Sequence, residues 1–218
     1  MFSKIPLSGS RYVGVGFSKT GTTTLGKCFE ILNLGPVGTP EVIHNRFQNS
    51  LRDENIRNNR FNEYPWRLMV EDVFYQQSYE LALLIASNFR SLVDRPWSVP
   101  AVYELIDKLY PQSKFIMTHR DPQSWWNSVD RWLNVTHKGN DERLKRYLMH
   151  LGVETLDKDL FVDAYLRHNE NVQKYFKNRQ DDLLVIDFEK GEGWERLCNF
   201  LDCPVPNLPF PHANKQMY

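Results

Sequence analysis

The sequence predicts an α/β protein with three layers, a central parallel sheet flanked by helices, and three observations carry that expectation. Strand-patterned and helix-patterned segments alternate along the whole chain. Two of the strands run into a tight turn and then a helix start, at residues 12–24 and 113–128. At 218 residues, with 41% hydrophobic and 13% aromatic side chains, the chain can bury a substantial core as a single domain spanning residues 1–218. Repeated strand–helix units build parallel sheets, and such sheets bind ligands outside the carboxyl ends of their strands.

The elements follow in order. Residues 11–17 read as the first strand and 22–34 as the first helix. Between 35 and 75, Gly35-Pro36, Gly38-Thr39-Pro40 and the polar stretch 49–62 suggest loops with short helices. Residues 76–88 are helix-patterned, 90–94 form a short strand, and Ser98 is placed to cap a helix running to Tyr110. The apolar run 113–119 is a buried strand, followed by a helix through Leu133. Helices near 141–151 and 157–178 precede a last strand, 183–186, then a helix near 193–201 and a proline-rich tail.

The first junction is an anion cradle. Strand, glycine-containing turn and helix start aim successive N–H groups and the helix dipole at one point. Its residues are Phe17-Ser18-Lys19-Thr20-Gly21-Thr22-Thr23-Thr24. A Walker A loop built on Gly16 and Gly21 would carry its lysine at position 22, where Thr22 stands; the lysine, Lys19, lies inside the loop. A dinucleotide fingerprint starting at Gly14 would need a glycine where Lys19 stands. At the second junction, Arg120-Asp121-Pro122 opens a helix with Ser124 and Ser128 on one face. Asp121 suits the N-cap and Pro122 the first helical position. A guanidinium fork and a hydroxyl beside a helix start suit a phosphate.

The loop Lys19-Thr20-Gly21-Thr22-Thr23 resembles the phosphosulfate loop of sulfotransferases that use 3′-phosphoadenosine 5′-phosphosulfate. Arg120 and Ser128, eight residues apart, resemble that family's second signature, which holds the 3′-phosphate. The resemblance runs from about residue 11 to 215 and implies a P-loop-type fold. It implies donor binding by Lys19, Thr20, Gly21, Thr22, Thr23, Thr24, Arg120 and Ser128, with 3′,5′-adenosine bisphosphate as product and no metal. Two features of the family are missing: Thr24 replaces the adenine-stacking tryptophan, and the C-terminal Arg-Lys-Gly triplet is absent. The short dimerisation motif is absent too, so oligomeric state stays open. Lys215, in a tail resembling the closing segment of some small sulfotransferases, is within possible reach of the donor.

In the cytosolic branch of the family a histidine two residues before a proline is the base; here Asp94 aligns with it, before Arg95-Pro96. A partly desolvated carboxylate can take a proton from an attacking hydroxyl, so Asp94 is the candidate base. The plain structural role for Asp94 is to end the strand and cap the next turn. His119 adjoins Arg120, but strand alternation turns it to the opposite face. Trp125, Trp126 and Trp132 read as core, as do most of Phe61, Tyr64, Trp66, Phe74 and Tyr75, although some of these five should line an acceptor pocket.

Composition narrows the partners. Lys plus Arg and Asp plus Glu are both 27, so no global field favours nucleic acid or an anionic membrane. Three cysteines at no zinc spacing fit a reduced compartment. No run is long enough to span a membrane and no signal peptide is visible, so a soluble, cytoplasmic enzyme is expected. The expectation is sulfuryl transfer to a hydroxyl or amine of a small-molecule acceptor. The alternatives are a P-loop nucleotide kinase or NTPase, and a degenerate, non-catalytic nucleotide-binding protein.

Overall fold

The computed structural model describes residues 9–39, 42–43, 73, 77–136 and 141–213. Phe61, Tyr64, Trp66, Phe74, Tyr75 and Lys215 lie outside the described residues. Strand β1 (Tyr12–Gly14) leads through a loop into α1 (Thr22–Ile31), and β2 (Val37–Gly38) follows. Next come α2 (Glu80–Ala86), β3 (Ser91–Leu92), α3 (Pro100–Leu109), β4 (Lys114–Thr118) and α4 (Pro122–Thr136). Then α5 (Asp141–Leu151), α6 (Lys158–Tyr175), β5 (Leu183–Ile186) and α7 (Trp194–Leu201) complete the order.

The strands form one sheet of order β2-β3-β1-β4-β5. Every pairing is parallel, with Val13 opposite both Leu92 and Phe115, and Ile116 opposite Leu184. From β1 the chain goes to β2 at one edge, returns to β3 beside β1, and then crosses to β4 and β5 on the other side, so the carboxyl ends of β1, β3 and β4 flank the switch point where ligands lodge in open α/β sheets.

Side-chain alternation sends the strands' apolar residues to both faces. Val13, Phe115 and Met117 pack with Ile85 of α2, Ile106 of α3 and Val172 of α6. Ile116, Leu184 and Ile186 pack with Leu25 and Phe29 of α1 and Leu197 of α7. Helices thus cover the sheet on both sides, as the three-layer expectation required. Each fully buried side chain of this kind contributes about 1.5–3 kcal/mol. A further cluster joins α4, α5 and α6 through Trp125, Val129, Tyr147, Phe161 and Tyr165, and receives Phe17 from the loop after β1.

Two expectations are corrected. The segment after Pro36 supplies the edge strand β2, whose two residues pair with Ser91 and Leu92, where the sequence suggested loops with short helices. Ser98 does not cap α3: that helix starts at Pro100 with Val99 as its N-cap, and the Ser98 hydroxyl is buried without a hydrogen bond among the described residues. Proline's fixed φ starts the helix without a side-chain acceptor.

Candidate active site

The loop after β1 is held from three sides. Thr20 Oγ1 lies 2.5 Å from the Phe17 carbonyl and 2.6 Å from Thr118 Oγ1 of β4. Trp125 of α4 donates its indole N–H to the Ser18 carbonyl at 3.0 Å. His168 of α6 places Nε2 at 2.8 Å from the Val15 carbonyl. The loop lies so close to β4 that a Cβ on Gly16 would sit 2.2 Å from Thr118 Oγ1 and 2.6 Å from its carbonyl oxygen. Glycine alone fits there.

At the loop's end Lys19 adopts φ 73° and Gly21 φ 107°, and Gly21 is the N-cap of α1. The Leu25 N–H makes the 3.0 Å bond back to the Gly21 carbonyl. Thr22, Thr23 and Thr24 are the first three helical residues, whose N–H groups precede that ladder. Gly21 as N-cap has no side chain with which to cap the helix, and Thr24 Oγ1 accepts from the Ala213 N–H of the tail at 3.3 Å. Thr20 also departs from the expectation in detail. Its hydroxyl anchors the loop and its N–H goes to the Phe17 carbonyl at 3.3 Å, so in this conformation it builds the cradle and does not line it.

Strand β4 delivers Arg120. Its backbone is clasped by one side chain: Tyr165 OH accepts from the Arg120 N–H at 2.9 Å and donates to the Arg120 carbonyl at 2.7 Å. Burial pushes the Tyr165 phenol up, which keeps it able to donate. The Asp121 carboxylate accepts from the N–H groups of Gln123 and Ser124, both at 3.0 Å, and so caps α4. The Arg120 side chain donates from Nε to Ser124 Oγ at 3.0 Å and from NH1 to the Lys19 carbonyl at 3.2 Å; NH2 pairs with Glu189.

Asp94 follows β3 with φ 71°, and its Oδ1 accepts from the Arg95 N–H at 2.9 Å. It therefore does shape the turn, and it also faces the site. His119 is turned away, with Nδ1 at 3.3 Å from Asp187 Oδ2.

These pieces meet around a cavity of about 350 Å³. Ser18, Lys19, Gly21, Thr22, Thr23, Thr24, Asp94, Arg120 and Ser128 line it, joined by Arg95, Arg131 and Trp132. The Trp132 ring, expected in the core, stands 5.5 Å from Lys19 Nζ. Trp125 is fully buried in the core, stacked on Tyr165 with centroids 4.5 Å apart. Arg131 and Trp132 lie three and four residues beyond Ser128, and that helical spacing was a usable signal. His168 and Glu189 had none, because their contacts are made across the fold. Burial lowers the Lys19 ammonium from its ordinary range; Asp94 opposes the shift and Arg120 adds to it. Lys19 and Asp94 thus share one desolvated field. A larger hollow of about 700 Å³ under the tail, lined by Trp194, Val205, Leu208 and Phe210, contains none of these residues. Among the described residues no group of three or more His, Cys, Asp or Glu could hold a metal ion, and no helix is long and apolar enough to cross a membrane.

Known proteins resemble the chain in sequence and in fold. The chain is similar to "Ava biosynthesis cluster protein M" of Aspergillus versicolor, 31% identical over 121 residues, which is 47% of this chain and 46% of that protein. The match thus spans just under half the length of that relative. In three dimensions the chain is similar to the "Sulfotransferase Domain from the Curacin Biosynthetic Pathway", with TM-score 0.50 and 15% identity over 93% of this chain and 77% of that one. At that identity the likeness speaks for the fold. The family model described as "Sulfotransferase domain" matches residues 11–217, a span that takes in both strand-to-helix junctions, and the chain belongs to the sulfotransferase family.

Proposed function

We propose that the chain transfers the sulfuryl group of 3′-phosphoadenosine 5′-phosphosulfate to a hydroxyl or amine of a small-molecule acceptor. The observation that carries this reading is one cavity lined by a loop lysine, a bare helix start, an Arg–Ser pair and a carboxylate. The acceptor oxygen forms a bond to sulfur while the bond from sulfur to the bridging phosphate oxygen breaks, in line. Negative charge builds on the departing oxygen. Lys19 and the N–H groups at the start of α1 are placed to neutralise it in a site where water is partly excluded. Arg120 and Ser128 hold the 3′-phosphate and so select this donor over ATP. Asp94 takes the acceptor's proton, and its field helps keep Lys19 charged. The Aspergillus relative is named as a biosynthesis cluster protein, which supports a small-molecule acceptor.

The test is thermal unfolding with 3′,5′-adenosine bisphosphate in the absence of metal, against ATP with magnesium. The bisphosphate at a hundred times its Kd should add about 2.7 kcal/mol of stability, and ATP should add little. Stabilisation by ATP with magnesium alone would replace this reading with a nucleotide kinase or NTPase.

A further inference from the structure

Arg120 is held by three groups of the protein, and one of them is charged. Glu189 pairs through Oε1 with Arg120 NH2, while its Oε2 accepts from Ser124 Oγ at 2.8 Å. Ser124 Oγ in turn accepts from Arg120 Nε at 3.0 Å, so Arg120, Ser124 and Glu189 close a ring of hydrogen bonds. Glu189 stands on the short turn after β5, where its own N–H is tied to Asp187 Oδ1 at 3.0 Å. Neither Ser124 nor Glu189 lines the cavity, whereas Arg120 and Ser128 do.

We propose that Glu189 is a positioning residue that sets the Arg120 fork at the orientation in which it grips the donor's 3′-phosphate. This rests on the reading of Arg120 as the ligand of that phosphate. A guanidinium carries five N–H donors in a fixed plane. Ser124 takes the Nε hydrogen, the Lys19 carbonyl takes one on NH1 and Glu189 takes one on NH2. Among the described residues, one hydrogen is left on each terminal nitrogen, the number a phosphate needs for two parallel bonds. An arginine side chain has several rotors, and holding its plane from behind removes that freedom before the ligand arrives. A carboxylate that merely competed with the phosphate would lie on the ligand's side of the fork. Glu189 lies outside the lining, and its side chain is 45% exposed, so water screens its charge from the cavity.

The role is read by comparing affinities for 3′,5′-adenosine bisphosphate and 5′-AMP, which differ by the 3′-phosphate alone, in calorimetric titrations. Glu189→Ala should weaken the bisphosphate about tenfold and leave 5′-AMP unchanged. Glu189→Gln keeps an acceptor for NH2 and should recover affinity to within about threefold of the wild type. An alanine variant that binds the bisphosphate as tightly as the wild type, or tighter, overturns the proposal in favour of a bystander or a competing charge. Equal losses for both nucleotides, or no recovery with glutamine, overturn it as well. A wild-type protein that binds the two nucleotides equally overturns the assignment of Arg120 to the 3′-phosphate, and the role of Glu189 falls with it.

Discussion

At the scale of single residues, the candidate site rests on two side chains held in the left-handed region, Lys19 at φ 73° and Asp94 at φ 71°. Non-glycine residues reach that region at a cost, and such outliers gather where function demands a particular direction. Lys19 is buried enough for its ammonium to be lowered by desolvation, so its charge acts in a medium that screens it weakly. Its effect should be greatest when the departing phosphate oxygen becomes negative. Lys19→Ala is expected to cut kcat by roughly 10²–10³-fold and to leave bisphosphate affinity far less changed. A raised KM at constant kcat would reduce Lys19 to a plain binding contact. For Asp94 the informative change is to asparagine, which tolerates positive φ and keeps an oxygen for the Arg95 N–H. The turn should therefore survive while proton acceptance is lost. Turnover of an un-ionised alcohol should fall by roughly 10²–10⁴-fold at an unchanged melting temperature. If activity holds and only the melting temperature drops, Asp94 is a turn residue.

At the scale of elements, the cradle after β1 is as much a product of its neighbours as of its own residues. The Thr20 hydroxyl bridges the Phe17 carbonyl and Thr118 Oγ1 in a buried place. Thr20→Val keeps the shape and removes both bonds, leaving the Thr118 hydroxyl to seek another partner. The expected loss is about 1–2 kcal/mol in urea unfolding at constant m, and Thr20→Ser should restore it. An unchanged midpoint would show that β4 does not anchor the loop through this hydroxyl. The same element shows what is legible in a sequence. The strand at 183–186 and the helix starts at Pro122 and Thr22 were readable because apolar runs, caps and turn glycines are local signals. The sheet's outer strand β2 was not, for two residues among glycines and prolines become a strand only by pairing with β3. Both junctions were read from spacing, whereas Glu189 meets Arg120 across 69 residues of chain. Trp132 packs against the buried cluster, as expected of a core residue, but its second role as a cavity wall was not legible, for a related reason. Helical spacing puts it on the Ser128 side of α4, but only the fold decides that this side meets the cavity at that height.

At the scale of the whole molecule, the site loop and the core share a titratable support. His168 is buried on α6 beneath the loop, in contact with Phe17 at 4.3 Å between ring centroids and bonded to the Val15 carbonyl. Burial pushes its imidazole down to about 4, while the bond to Val15 pulls the other way. His150 is also held well below its ordinary value, by burial first and then by Arg95 and His168. The sign follows from proton counting. Between about pH 6.5 and about pH 4 the unfolded chain binds a proton at residue 168 that the folded chain refuses, so unfolding is favoured by acid. Stability from this group is whole above the unfolded value and is lost as pH falls toward the folded one. The loss approaches about 3 kcal/mol for a shift of that size, with His150 adding in the same direction. His168→Gln keeps a donor for the Val15 carbonyl but has no proton to gain. Denaturant unfolding from pH 7.5 to 4 should therefore show a shallower decline in the variant than in the wild type. Below about pH 4, where folded and unfolded wild-type chains are both protonated at this position, the two profiles should run parallel with the accumulated offset retained. Parallel profiles across the whole range would mean that residue 168 takes up its proton equally in the folded and unfolded chains, so that burial does not hold the ring neutral beneath the loop.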